Sequence, residues 1–433
     1  MKGNETIFGL ASAFGKSGVA VIRISGSLAT DVLAEFGVKN LKPRLTALKK
    51  LVFKGQVIDE ALVIYFAAPN SFTGEDVIEL HTHGSRAVIK TMINILSGIK
   101  GVRMAEAGEF SRRAFINGKM DLTEAEGLAD LIDAETEGQR KQAMRQMEGE
   151  LGKIYESWRH DIIKLLANIE AYIDFPDEDL PKELSAQITN QIINLKSSIS
   201  EHLNDNRRGE RIRDGLFVVI LGAPNVGKSS LLNYLAKREA AIVSDIAGTT
   251  RDVIEVNLEI AGLPVTIADT AGLRESADAI ETEGVRRALE RAKNAELKIL
   301  MLDALDEKPD LSLADDNTIV LVNKVDEVKV QRSKVKGQIS IKTGEGMDEF
   351  LNLLSSKITE KFGLSETPQI TRARHREGLT QTLQCLESIS LQNPIELIAE
   401  DLRHSAYNLG RITGRIDVED ILDVIFSSFC IGK

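Results

Sequence analysis

The stretch Leu221-Gly222-Ala223-Pro224-Asn225-Val226-Gly227-Lys228-Ser229-Ser230 brings together the residue types that hold a terminal phosphate. Glycines at 222 and 227 let the backbone curl until successive N–H groups face one anion. Lys228 adds a point charge for the outermost phosphates, and the Ser229 hydroxyl suits Mg2+. On this reading Asn225, Val226, Gly227, Lys228, Ser229 and Ser230 all contact a nucleotide. Further motifs follow in order. Ser244-Asp245-Ile246-Ala247-Gly248-Thr249-Thr250-Arg251-Asp252 stands where a segment must answer to the γ-phosphate; Ser244, Thr249 and Thr250 are its expected nucleotide contacts, with the Thr250 hydroxyl on Mg2+. In Asp269-Thr270-Ala271-Gly272, Asp269 is expected to hold Mg2+ through water and the Gly272 N–H to meet the γ-phosphate. Asn323-Lys324-Val325-Asp326 chooses the base. A carboxylate at Asp326 accepts from both guanine N1–H and its exocyclic amine, whereas adenine offers an acceptor at N1 and would leave the carboxylate unpaired. Ser340-Ile341-Lys342 fits the loop that closes over that base.

These motifs need strands to hold them. The apolar run Leu216 to Ile220 reads as a buried strand feeding the first loop, and Leu231 to Lys237 as the helix after it. Val265 to Ala268, Ile319 to Val322 and a short strand at Gln338-Ile339 precede the later motifs. Taken singly, each motif also reads as an Asp-Gly turn, a strand-end asparagine or a polar loop. Their order, each at a strand end, is where a doubly wound α/β sheet presents its ligand. The expected architecture is multidomain α/β, with a Ras-like P-loop GTPase domain at 214–367.

Around it the patterning changes. Residues 1–119 mix strands (Val19 to Ile24, a hairpin through Leu51–Phe53 and Leu62–Phe66, Val77 to His83) with a helix at Val88 to Leu96, an α+β domain. Residues 120–213 carry long helical periods such as Ile162, Leu165, Leu166, Ile169 and Ile173, and residues 368–433 are helical again. The economical reading is one helical bundle interrupted by the nucleotide domain.

Composition narrows the classes. A length of 433 residues with 43% hydrophobic content predicts about three domains with real cores. No run is long and apolar enough to span a membrane, and Met1-Lys2-Gly3-Asn4-Glu5 lacks the layout of a leader, so a cytoplasmic location is expected. Cys385 and Cys430 are the only cysteines, which excludes a disulfide framework and a four-cysteine zinc site within the chain. A net charge of −11 argues against a dominant basic field for nucleic acid, while leaving room for a local patch.

One departure bears on chemistry. Ras-like switches orient the attacking water with a glutamine directly after the glycine of the third motif, and here that place is Leu273. Hydrolysis therefore needs another positioning group and another positive charge: Arg251, Arg274, Glu281 or a bound cation. On the residues alone Glu281 reads as a first-turn helix carboxylate.

The phosphate loop, the Gly248–Asp252 segment, Asp269-Thr270-Ala271-Gly272-Leu273-Arg274-Glu275 and the terminal Phe429-Cys430-Ile431-Gly432-Lys433 together resemble the MnmE (TrmE) tRNA-modification GTPases. Pro69 to Asp76 and Gly108 to Lys119 match as well, so the resemblance spans essentially the whole chain; Phe14 stands where that family usually has proline. The resemblance implies a folate-binding N-terminal domain that also dimerises, a helical domain and an inserted G domain. It implies a flavin-dependent partner, MnmG, and transfer of a tetrahydrofolate one-carbon unit to C5 of the wobble uridine of tRNA, giving aminomethyl or carboxymethylaminomethyl groups. It also implies that K+ replaces the missing arginine when two G domains meet. Carried across, K+ falls to Asn225, Ser244, Ile246 and Thr249, and the water-positioning glutamate to Glu281. Folate falls to Arg23, Glu79, Lys119 and Lys433, with Cys430 beside the one-carbon site.

Plainer readings stand beside these: a strand ion pair for Arg23 and Glu79, a surface lysine for Lys119, a frayed terminus for Lys433, a buried thiol for Cys430. His81-Thr82-His83 lacks a third metal ligand, and Asp174 to Asp179 lacks the glycine and closing glutamate of a calcium loop. The clusters Arg207 to Arg213 and Arg372 to Arg376 suit either tRNA phosphates or a solvated helix face. A competing account of the whole chain is a regulatory GTP switch in ribosome assembly, in which the N-terminal domain only dimerises. Folate binding separates the two.

Overall fold

The computed structural model describes residues 5–174, 182–237, 255–269, 295–306, 310–327, 337–363, 367–390, 392–416, 418–427, 429–430 and 432. Contacts divide the chain into two units: Met1–Ala129 with Met147–His160 and Ala406–Lys433, and Asp130–Gln146 with Asp161–Ser405.

The first unit is built on strands β1 (Thr6–Leu10), β2 (Ser17–Ser25), β3 (Ala47–Phe53), β4 (Gln56–Phe66), β5 (Val77–Gly84) and β6 (Val102–Met104), in the spatial order β3-β4-β5-β2-β1-β6. Alternation along the strands decides which face is buried. Ala20, Ile22 and Ile24 of β2 and Ile78 and Leu80 of β5 are buried. Most of these join one cluster with Met92 and Leu96 of the helix Arg86–Ser97 and Val32 and Leu33 of the helix Ala29–Glu35. Ser85 caps the first of these helices by accepting from the Val88 N–H at 3.1 Å. The intervening residues Arg23 and Glu79 lie on the opposite face, directly across the β2–β5 ladder from one another. Strands β1 and β6, which the sequence did not signal, are short; β6 has three residues and pairs parallel to β1. Helices Leu122–Ile132 and Glu419–Ser427 add a second apolar cluster, in which Leu122 and Ala125 meet Leu422, Phe426 and Phe429.

The second unit carries β7 (Leu216–Gly222), β8 (Glu255–Ile260), β9 (Leu263–Asp269), β10 (Leu297–Asp303), β11 (Thr318–Asn323) and β12 (Gly337–Gln338), ordered β12-β11-β10-β7-β9-β8. All neighbours run parallel except the β8–β9 pair. Parallel strands are covered on both faces, which explains the near-continuous apolar runs. Val218 and Ile220 enter one cluster with Ile299, Leu321 and helix residues Leu231 and Phe350, while Val219 and Leu221 enter another with Leu300, Leu302 and Val322. The chain leaves β7 to one side for β9 and later returns to the other for β10, so the carboxyl end of β7 is a topological switch point. Sequence patterning missed β8 and β10. The first is a half-exposed edge strand, and the second is an apolar run with no motif at its end.

Still within this unit, the arginine clusters turn inward. Arg376 bonds Asp205 at 2.7 Å and Glu210 at 2.9 Å, Arg213 and Arg372 share the Asp130 carboxylate at 3.0 and 2.6 Å, and Arg208 donates to the Lys361 carbonyl. These four arginine side chains tie neighbouring parts of the unit to one another, while Arg207 keeps an exposed side chain.

Candidate functional site

The phosphate loop connects β7 to the helix Lys228–Ala236, three residues longer at its start than the apolar pattern indicated, because Lys228, Ser229 and Ser230 form its first turn. Gly227, at φ 106°, caps this helix in a left-handed conformation. A Cβ there would overlap the Asn323 side-chain amide, so backbone angle and space both demand glycine. Asn225, at φ 63°, takes the left-handed form that asparagine tolerates and is exposed. Lys228 is buried, and its Nζ donates to the Gly222 and Ala223 carbonyls at 2.8 and 2.7 Å, holding the ammonium inside the loop it must serve. Ser229 Oγ donates to Asp269 Oδ2 at 2.6 Å. A helix start and the carboxyl end of β9 thus bring a hydroxyl and a carboxylate together, an all-oxygen set of the kind a hard divalent cation takes.

Asn323 joins separate parts of this region. Its Nδ2 donates to the Val226 carbonyl at 2.8 Å, and its Oδ1 accepts from the Ile341 N–H at 3.3 Å. The Asn323–Asp326 segment, the loop through Val226 and the loop through Ile341 are therefore pinned by one buried amide. Ser340 is buried; its hydroxyl accepts from Thr343 N–H and its carbonyl from Gly344 N–H, a tight turn that leaves Lys342 exposed. Asp326 is exposed and makes no side-chain hydrogen bond among the described residues. Lys324 has φ 68°, and its Nζ meets Asp303 Oδ2 at 2.5 Å. Burial pushes the Asp303 carboxyl up, but the bonds from Lys324 and the Leu305 N–H outweigh it and hold it below the usual aspartate value. Asp303 was not among the residues that the sequence singled out; a carboxylate ending a buried strand beside the base motif was the available signal.

Ser244, Ile246, Thr249, Thr250, Thr270, Ala271, Gly272 and Glu281 lie outside the described residues, as does Lys433.

In the first unit the register of β2 and β5 makes the Arg23–Glu79 pair. Arg23 Nε and Nη2 donate to Glu79 Oε1 at 3.0 and 2.9 Å, with both side chains about four-fifths covered. The plain strand ion pair is therefore present, and more converges on it. Arg23 Nη1 donates to the Gly432 carbonyl at 3.3 Å, from a residue 409 positions away. The guanidinium stands 5.5 Å from the Phe72 ring and 5.7 Å from the Phe110 ring. His81 Nε2 lies 3.3 Å from the other Glu79 oxygen, and His83 pairs with Asp59, so each histidine has a carboxylate partner.

The tail reaches this place because Phe426 and Phe429 are buried, with ring centroids 5.6 Å apart, and because the Cys430 carbonyl accepts from the Gly108 N–H at 3.4 Å. Gly432, at φ 101°, leaves no room for a Cβ against the Leu10 carbonyl, and a Cβ at Gly9 would stand 2.9 Å from Gly432 Cα. Cys430 is exposed, which removes the buried-thiol reading. Lys119 is exposed, and its Cε would be 3.4 Å from a Cβ built at Gly74. That glycine belongs to the loop carrying Phe72. The loop is stitched down by the Ser25–Thr73 and Ser25–Glu75 bonds at 2.7 Å, by Arg113 on Glu75 at 3.0 Å, and by Asn117 on the Thr73 carbonyl at 2.6 Å. Phe72, Phe110 and His81 were not foreseen in these roles. Both phenylalanines fall inside the matching stretches Pro69 to Asp76 and Gly108 to Lys119, where their shared neighbour Arg23 could not be read.

The chain matches a family model described as the MnmE helical domain over residues 122–430 and one described as the GTP-binding protein TrmE N-terminus over residues 6–119. A tRNA modification GTPase MnmE from a Wolbachia of Drosophila simulans is 51% identical over 442 residues, covering 99% of this chain and 99% of that protein. One from Parvibaculum lavamentivorans is 53% identical over 445 residues, covering 99% of this chain and all of that protein. Among solved structures, the G domain of the T. maritima FeoB iron transporter is 26% identical, covers 34% of this chain and 98% of its own, and superposes with a TM-score of 0.25.

Proposed function

Because the chain belongs to the MnmE (TrmE) family of tRNA modification GTPases, we propose that it is a K+-dependent GTP hydrolase acting in modification of C5 of the tRNA wobble uridine. In this reading it works in the cytoplasm as a homodimer, with a flavin-dependent MnmG-type partner and a tetrahydrofolate one-carbon donor. The observation that supports the hydrolase is that Asn323, at the end of β11, ties the glycine-curled loop at the Val226 carbonyl to the Ile341 N–H, beside a lysine buried within that loop at the switch point of the second sheet.

Each residue then has a task. The N–H groups of Val226 to Ser230 and the helix start bind and orient the phosphates, and Lys228 places its charge on the outermost ones. Lys324 and Asp326 bind the base, and Ser340, Ile341 and Lys342 cover it. Ser229, with Thr250, would hold Mg2+, and Asp269 would steady it through water; such an ion neutralises phosphate charge. K+ would fall to Asn225, Ser244, Ile246 and Thr249. Asn225 is suited to it by an exposed side chain carrying an amide oxygen. Glu281 orients the attacking water in place of the glutamine that Leu273 displaces.

The Arg23–Glu79 pair beside Gly432 supports the folate assignment, with Lys119 and Lys433 as further contacts. A carboxylate already oriented by an arginine suits the donor edge of a pterin, and cationic side chains suit a glutamyl tail. Cys430 would border the one-carbon group. The test is GTP turnover in matched KCl and NaCl buffers: hydrolysis several times faster in KCl is expected, and equal rates would remove Asn225 and its companions from the cation role.

A further inference from the structure

Strands β10 and β11 run parallel with Asp303 opposite Asn323, so the two strands end side by side where the base motif begins. The Asp303 carboxylate is held at both oxygens. Oδ1 accepts from the Leu305 N–H at 3.0 Å, a local turn that fixes its orientation, and Oδ2 meets Lys324 Nζ at 2.5 Å. Ala304 N–H in turn donates to the Asn323 carbonyl at 2.9 Å, fastening the Asp303 turn to the strand end that carries the lysine. Lys324 leaves that strand in a left-handed conformation, which a lysine takes up only when its surroundings insist. A long lysine stem has many rotamers; drawing its ammonium to a fixed carboxylate restricts them, two residues before Asp326 in the chain.

We propose that Asp303 is a positioning residue for the guanine site: it orders the Lys324 side chain before nucleotide arrives, and thereby sets affinity for the base. The proposal rests on the assignment of Asn323 to Asp326 as the guanine-reading motif. It assigns Asp303 no contact with the reacting phosphates. Its loss should weaken GTP binding and leave the chemical step alone.

The test uses the full chain with Mg2+ and KCl, measuring GTP hydrolysis and release of a fluorescent GDP. In Asp303→Asn the KM for GTP and the GDP release rate should each rise about tenfold, the size expected for losing one charge-assisted bond, with kcat within about twofold. Asp303→Ser, which keeps an acceptor for the Leu305 N–H, should behave alike; it provides the reading if the asparagine variant folds poorly. In a Lys324→Ala background the same substitution should have no further effect. Equal losses in the two backgrounds, or a fall in kcat at unchanged KM, would overturn the proposal. A parallel Asp326→Asn variant keeps the underlying assignment separate. If it shifts preference toward xanthine nucleotides while Asp303→Asn changes nothing, the positioning role alone fails. If GTP selectivity survives Asp326→Asn, the base motif itself is misassigned.

Discussion

The phosphate loop of the second unit and the Arg23–Glu79 surface of the first are put together in opposite ways. Around the loop, the candidate residues sit at or close to the ends of strands and helices, and local chain direction aims them: Gly227 by its φ as the helix cap, Ser229 in the first turn of that helix and Asp269 as the last residue of β9. Around Arg23, nothing local aims the parts. A strand register supplies Glu79, a stitched loop supplies Phe72, one helix supplies Phe110, and a tail 409 residues away supplies the Gly432 carbonyl. A site of the first kind tolerates change elsewhere in its domain. One of the second kind fails if any contributing piece moves.

The sharpest way to break this contrast is Lys228→Ala. It should cut GTP turnover by about a hundredfold or more, since one preorganised charge on the transferring phosphoryl group carries that much, and leave reduced-folate affinity untouched. Next in size is Asp326→Asn, for which a selectivity change of about a hundredfold between GTP and its xanthine counterpart is expected in competition assays. Arg23→Ala should weaken reduced-folate binding about tenfold by calorimetry while GTP turnover stays normal. It removes one member of a largely covered pair, and the orphaned Glu79 adds to the loss. Gly432→Ala should reproduce that phenotype without touching a charge, because the added Cβ displaces the tail from Leu10. If Gly432→Ala binds folate normally, the tail is no part of the site.

The smallest effect concerns stability of the first unit. Burial pushes Glu109 up, yet Arg103, the Glu106 N–H and Arg113 together hold it below the usual 4.5. A depressed carboxylate contributes fully above its unfolded value, and that contribution is lost as pH falls through the lowered one. Glu109→Gln should therefore cost about 1 kcal/mol in denaturant titrations near neutral pH, and the difference from the parent should shrink as pH drops below 4.5.

The same contrast explains what could be read in advance. The strand ending at Asn323 was legible because a buried apolar run followed by a fixed motif needs no knowledge of the rest of the chain. The switch-point sheet was legible too, apart from its half-exposed edge strand β8 and from β10, whose terminal Asp303 carries no motif. Arg23 and Glu79 entered only through family resemblance, since two strand residues 56 apart reveal their pairing only when the register is known. The arginines at 208, 213, 372 and 376 were equally opaque. A basic run looks the same whether it faces solvent or, as here, the carboxylates and carbonyls of neighbouring helices.

The most direct test of the account is mass analysis of wobble nucleosides in tRNA from cells whose only copy of this protein is Lys228→Ala or Arg23→Ala. Loss of the C5 aminomethyl-type groups in both strains, with purified Arg23→Ala still hydrolysing GTP at the parent rate, is the predicted result. Full modification in either strain would contradict the claim that both sites serve one reaction.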